Sequence, residues 1–153
     1  MDMVMETVVC GPHHLLLWLH AAQDPPKHEW ASAIERVEEL KKELAGDVTS
    51  IRTLAISDGG APNALQRQEL FTTLLEGKAK SAVVTSVLTN RLKRGIATAI
   101  FWLNPNFRAY PPDQFDNALA HLEVSDHREA VLRTLREMGH KLAPLDTLKA
   151  IEG

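Results

Sequence analysis

Two groups of polar residues stand where chemistry could be done. The first is Ser57-Asp58-Gly59-Gly60, followed by Ala61-Pro62-Asn63. It follows an apolar run, Leu54-Ala55-Ile56, and reads as a strand end, a glycine turn and a helix start. Ligands and partners of open α/β sheets gather beyond such strand ends. A helix start offers free N–H groups and partial positive charge, so this turn could hold an anion. Yet neither Gly-x-Gly-x-x-Gly nor Gly-Lys-Ser/Thr is present. Asp58 would repel an anion unless it caps the helix, so Asp58 and Asn63 are read as turn and cap residues that also shape a contact surface. The second group is Thr85, Ser86, Thr89 and Asn90, with Arg91, Lys93, Arg94 and, further on, Arg108. Together the groups suggest a polar, partly basic rim that receives an acidic partner or an anionic ligand. The plainer alternative is a set of ordinary caps and a wet helix face.

Bond-making chemistry has less support. Gly-x-Ser-x-Gly is absent, and Asp58 is the sole carboxylate at an obvious strand end. Cys10 lies in Val8-Val9-Cys10 with no activating base near it in sequence, which suits a small buried core residue. Seven histidines occur, at 13, 14, 20, 28, 121, 127 and 140. None forms His-x-x-x-His or another helical metal-ligand spacing, although His121 and His127 could approach each other. His13 and His14 would point to opposite faces of a strand. No catalytic residue, metal or cofactor is assigned, and Trp18, Trp30 and Trp102 are expected to pack in the core.

Composition narrows the partners. The formal charge of −3 argues against non-specific nucleic-acid binding, which needs a basic face. A single cysteine allows no internal disulfide and fits a reducing cytoplasm. The longest apolar run, Leu15 to Leu19, is far short of the roughly 20 residues that span a bilayer. The acidic start, Met1 to Glu6, resembles no secretory leader. A cytoplasmic chain with no transmembrane segment is therefore expected.

The elements that must position these residues follow from periodicity. Thr7 to Cys10 and His14 to Leu19 read as a hairpin across Gly11-Pro12, and the unbroken Leu15–Leu19 run implies burial on both faces. Asp24-Pro25-Pro26 opens a helix, with Asp24 as cap and Trp30, Ile34, Val37, Leu40 and Leu44 as one stripe. Gly46 supplies a left-handed stop. Ile51 to Ile56 is the third strand. Pro62 to about Leu75 is a helix with Ala64, Phe71, Leu74 and Leu75 inward and Gln66 facing out. Ala82 to Val84 is a fourth strand, and Leu92 to Leu103 a helix stopped by Asn104-Pro105. Phe107 to Tyr110 is a fifth strand. Two helices close the chain, one with Phe115, Leu119 and Leu122 inward, the other, capped by Ser125, with Val131, Leu132, Leu135 and Met138 inward. The tail from Leu142 is left unassigned. The fold class is α/β: a mixed, mainly parallel sheet of about five strands with an opening hairpin, flanked by helices. One domain, 1–124, is expected, with a helical extension, 125–153, on the domain or on a second copy.

This order resembles the STAS-like branch of the anti-sigma-factor antagonist fold found in bacteria. The resemblance spans about Thr7 to Leu122. It rests on Ile56-Ser57-Asp58-Gly59-Gly60, on Ala82-Val83-Val84-Thr85-Ser86, and on the run from Ala99 through Trp102 and Pro105 to Tyr110. It implies a non-enzymatic regulatory or scaffold module that binds a protein partner through the rim after the third strand, with a homodimer as one possible assembly. A small-ligand or lipid binder is the alternative. The family's best-known switch is a phosphorylated serine at the start of the helix after the third strand. Here Ala61-Pro62-Asn63-Ala64-Leu65 has no hydroxyl residue at that place, and Ser57 is the nearest substitute. The residues implied at the rim are Ser57, Asp58, Gly59, Gly60, Asn63, Thr85, Ser86, Asn90, Arg91 and Arg94.

Overall fold

The computed structural model describes residues 1–75, 84–90 and 106–152, apart from the side chains at 64, 67, 71, 74 and 75. Five strands form one sheet in chain order: β1 (Met3–Cys10), β2 (His13–His20), β3 (Ile51–Ser57), β4 (Val84–Thr89) and β5 (Phe107–Tyr110). β1 and β2 are antiparallel, and every later pair is parallel. This is the expected mixed α/β sheet.

A parallel sheet wound in chain order, with crossovers of one hand, keeps its crossover helices on one face. α1 (Lys27–Glu43) lies there, and its Trp30, Ala33, Ile34, Val37 and Leu40 bury against Met3, Leu16, Trp18 and Ile51. Leu70 of α2 (Ala64–Leu75) packs against the same cluster. The opposite face carries Leu15, Leu17, Leu19, Leu54, Ile56 and Leu88. It is covered by α3 (Phe115–His121), α4 (Arg128–Gly139) and α5 (Asp146–Glu152), through Phe115, Leu119, Val131, Leu135, Met138, Leu145 and Leu148. Residues 125–152 therefore complete the core of the sheet they follow. Without them its central strands would present apolar side chains to water, at roughly 1.5–3 kcal/mol per leucine-sized group.

Several boundaries differ from the sequence reading. β1 begins at Met3, because Met3, Val4, Met5 and Glu6 pair with His20, Leu19, Trp18 and Leu17. β4 runs from Val84 to Thr89, whereas Ala82 and Val83, expected as its start, lie outside the described residues. Thr85, Val87 and Thr89 suit extended backbone, and Ser86 and Leu88 alternate into the core. α1 starts on Pro26 with no side-chain cap. Asp24 instead accepts from the Ala61 N–H at 3.1 Å, tying the β2–α1 loop to the β3–α2 loop. Gln66, expected to face out, is buried. The tail left unassigned forms α5. The expected helix from Leu92 to Leu103 lies outside the described residues, as do Phe101, Trp102 and the side chains of Ala64, Phe71, Leu74 and Leu75. No helix among the described residues is long and apolar enough to cross a membrane.

Candidate functional site

The carboxyl ends of β2 and β3 meet the starts of α2 and α5, and this junction is the candidate site. The turn after β3 is held tightly to the turn after β2. Asp58 N–H donates to the His20 carbonyl at 3.0 Å, and Gly60 N–H to the Ala21 carbonyl at 2.8 Å. A Cβ at Gly60 would stand 2.1 Å from the Gln23 carbonyl oxygen and 2.5 Å from that of Ala21. Glycine is required there by close approach. Gly59 is required for a different reason, a φ of 135° that side-chain-bearing residues avoid.

Ser57 closes the turn from within. Its hydroxyl accepts from the Gly59 N–H at 2.9 Å and donates to the Gly60 carbonyl at 2.6 Å. It is buried, and its proton is committed to the backbone. The facing position on β2 is His20, yet no hydrogen bond joins the two side chains, so they form no nucleophile–base pair. Burial pushes the His20 imidazole down to about 4, with Asp24 opposing through its charge. His20 is thus a neutral core histidine at pH 7.

Asp58 does cap a helix, but the helix is α5. Its two carboxylate oxygens accept from the Asp146 N–H at 2.8 Å and the Thr147 N–H at 2.9 Å. The Thr147 hydroxyl donates to the Ser57 carbonyl at 3.0 Å. These are free donors of a helix start, satisfied by a carboxylate 88 residues away in the chain, where local charge also favours an anion. Asp58→Ala is therefore expected to destabilise the protein by about 2 kcal/mol, from the loss of two charge-assisted bonds. For a chain of this size that lowers Tm by roughly 4–8 °C. Thermal unfolding reads the change, and faster hydrogen exchange at Thr147 and Leu148 localises it to α5.

Asn63 caps α2 in a reciprocal box. Its Oδ1 accepts from Gln66 N–H at 2.8 Å, and Gln66 Oε1 accepts from Asn63 N–H at 2.9 Å. Asn-x-x-Gln is a legible capping box in the sequence, and it explains why Gln66 turns inward. The residues left open on this rim are Gly59, Ala61, Asn63 and Leu65, with Pro62 half-buried.

The second group is placed differently. Thr85 pairs with Thr53 and Ser86 with Leu54, in the body of the sheet and not at its end. Ser86 is fully buried beneath α3, where its hydroxyl donates to the Ala118 carbonyl at 2.9 Å. Thr89 pairs with Ser57 and so reaches the rim, and Asn90 is exposed just beyond it. Arg91, Lys93 and Arg94 lie outside the described residues. Arg108 is in β5 on the α3 face, level with Ser86. The structure thus brings together Ser57, Asp58, Gly59, Gly60 and Asn63 and separates Thr85 and Ser86 from them.

The remaining candidates lie apart from this rim. Cys10 is buried, and burial pushes its thiol up. His13 lies 4.0 Å from Glu123, His14 faces Ser50, and His121 donates to the Asn106 carbonyl. Among the described residues no three His, Cys, Asp or Glu side chains converge on a metal-sized site. Two features escaped the sequence reading. One is α5 as the element that Asp58 holds. The other is a stacked aromatic row, His20–Trp18–Trp30, with centroids 6.3 and 5.6 Å apart. Comparison with known proteins gives no match to a family model, to a curated protein or to a solved structure.

Proposed function

We propose that this chain is a non-enzymatic docking module that receives a partner protein on the rim formed by Gly59, Ala61, Asn63 and Leu65. One observation carries the reading: Leu65 is 78% exposed on the first turn of α2. A leucine so placed beside polar caps has the pattern of an interface anchor with a polar rim. The surface is preformed, because Asn63 and Gln66 fix the helix start and Asp24 fixes the loop before it. The commitment of the Ser57 hydroxyl to backbone supports binding over bond-making. The STAS-like resemblance points to the same helix as the partner-facing element, and a regulatory or scaffold role follows from it.

Affinity capture from extract of the protein's own cells tests the idea. Leu65→Glu is expected to lower partner recovery at least tenfold, given about 1.5–3 kcal/mol for burying a leucine. Val9→Glu, at another exposed apolar position, is the control and is expected to leave recovery unchanged. Equal recovery with Leu65→Glu would remove the rim from consideration.

A second reading, a small-ligand binder, has its own support. The indole nitrogens of Trp18 and Trp30 and Nδ1 of His20 are sealed from solvent without a hydrogen-bond partner. Buried polar atoms usually have partners, so a small molecule that entered by opening this row would satisfy groups that the described residues leave unpaired. Native mass spectrometry separates the readings: a retained small mass favours the ligand, and a bare mass favours docking.

A further inference from the structure

One edge of the sheet is left open, and its open stretch is complementary to itself. β1 pairs with β2 on one side and borders no strand on the other. The Ala21 N–H donates to the Asp2 carbonyl at 2.8 Å in continuation of the β1–β2 register, so the even-numbered residues of β1 turn their main chain toward β2. Met3, Met5, Thr7 and Val9 therefore point their N–H and C=O groups outward. The Met3 N–H is taken by Glu29 Oε1 at 3.1 Å. Among the described residues nothing takes those of Met5, Thr7 and Val9.

Sheet proteins usually blunt such an edge by shortness, proline, a bulge or charge. β5, the opposite edge strand, has four residues and is followed by Pro111. β1 has eight, no proline and an unbroken register, and its Val9 is 65% exposed. An antiparallel strand from a second copy meets this edge about a two-fold axis, which requires one residue to face itself. The open groups run from Met5 to Val9, so that residue is Thr7. The register follows: Met5 opposite Val9, Glu6 opposite Val8, and Val4 opposite Cys10. Every outward N–H and C=O of the stretch is then used, in about six main-chain hydrogen bonds. The side chains agree with this register. Val9 gains an apolar neighbour in Met5, Thr–Thr is a favoured cross-strand pair, and no like charges stand directly opposite. The charges beside the seam arrive matched. Glu6 comes with Lys141 at 3.4 Å. Arg36, which donates to Thr7 Oγ1 at 3.1 Å, comes with Glu39 at 3.5 Å and Glu43 at 3.6 Å. A foreign strand would have to supply this pattern, whereas a second copy carries it.

We infer that two copies of this chain join β1 to β1 in antiparallel register centred on Thr7, making one continuous sheet across the two-fold axis. The seam is on β1, away from the docking rim at the end of β3, and stands whether or not a partner binds there.

The test is sedimentation equilibrium of the full chain over a rising concentration series, with amide hydrogen exchange measured at both ends of the series. A mass that doubles is expected, with exchange at Met5, Thr7 and Val9 slowed at least tenfold in the dimer. Thr7→Pro removes the outward N–H at the axis and leaves the β1–β2 bonds in place, so it is expected to raise the dimer dissociation constant at least tenfold. Val9→Glu, at an exposed side chain, sets a carboxylate against Met5 and is expected to do the same, which keeps the test open where Thr7→Pro does not fold. A wild type that stays monomeric overturns the proposal, whatever other strand the edge accepts. So does a dimer whose Thr7 and Val9 amides exchange as fast as in the monomer, or one that a folded Thr7→Pro or Val9→Glu leaves at full strength.

Discussion

Gly60→Ala is expected to cost about 3 kcal/mol and to loosen the rim that the docking proposal uses. A methyl group at this position would meet two backbone carbonyl oxygens, of Gln23 at 2.1 Å and Ala21 at 2.5 Å. Neither can swing aside as a side chain could. The β2–α1 loop must move, and with it go the Gly60 N–H bond to Ala21 and the Ser57 hydroxyl bond to the Gly60 carbonyl. Overpacking of this kind alone costs roughly 1–3 kcal/mol, and each lost hydrogen bond adds about 1 kcal/mol. The consequence reaches further than stability. Asp58 shares the turn, so its hold on Asp146 and Thr147 weakens too. Urea unfolding of Gly60→Ala should give a lower midpoint, and hydrogen exchange should rise at both Ala61 and Thr147. An alanine variant as stable as wild type would show that the two loops are not in close contact.

The legible parts of this architecture are those written in local pattern. The Leu15–Leu19 run gave a strand buried on both faces, because only a central strand hides consecutive side chains. The stripe from Trp30 to Leu40 gave α1, and Ser57-Asp58-Gly59-Gly60 gave a strand end and tight turn. What escaped depends on distant partners. Thr85 and Ser86 read as a polar exit from a strand, yet Ser86 is in the core because the Ala118 carbonyl waits for its hydroxyl 32 residues on. Asp24 read as the cap of the helix it precedes, yet it serves Ala61, 37 residues away. Asp58 read as a cap of the helix that follows its turn, yet it serves α5, and no local signal could tell that. The polar candidates at the site were visible, whereas their assignments are set by packing that brings chain-distant donors to them. The most sequence-evident arginines, 91 and 94, lie outside the described residues.

Acidification from pH 7 to pH 4 is expected to remove about 3 kcal/mol of stability through His20 alone. The folded imidazole is depressed to about 4 against an ordinary 6.5, mainly by burial, with the Asp24 charge opposing. Between these values the unfolded chain binds a proton that the folded chain refuses. Stability therefore rises with pH across this window: it is fully present above 6.5 and is lost as pH falls toward 4. At about 1.4 kcal/mol per pH unit, the gap of roughly 2.5 units gives the stated loss. The physical reason lies in the position of His20 at the end of β2. It stacks on Trp18 beneath α1, and its Nδ1 has no partner to welcome a second proton. Carboxylates elsewhere also titrate near pH 4, so the measurement is a difference. Urea unfolding of wild type and His20→Gln is compared at pH 7 and pH 4.5. Whatever the variant's stability at pH 7, its acid-induced loss should be smaller by about 2–3 kcal/mol, since glutamine takes up no proton. Equal losses in the two proteins would mean that His20 is solvated or already paired. That result would also withdraw the support the aromatic row lends to a bound small molecule, because both rest on the same sealed, unpartnered imidazole.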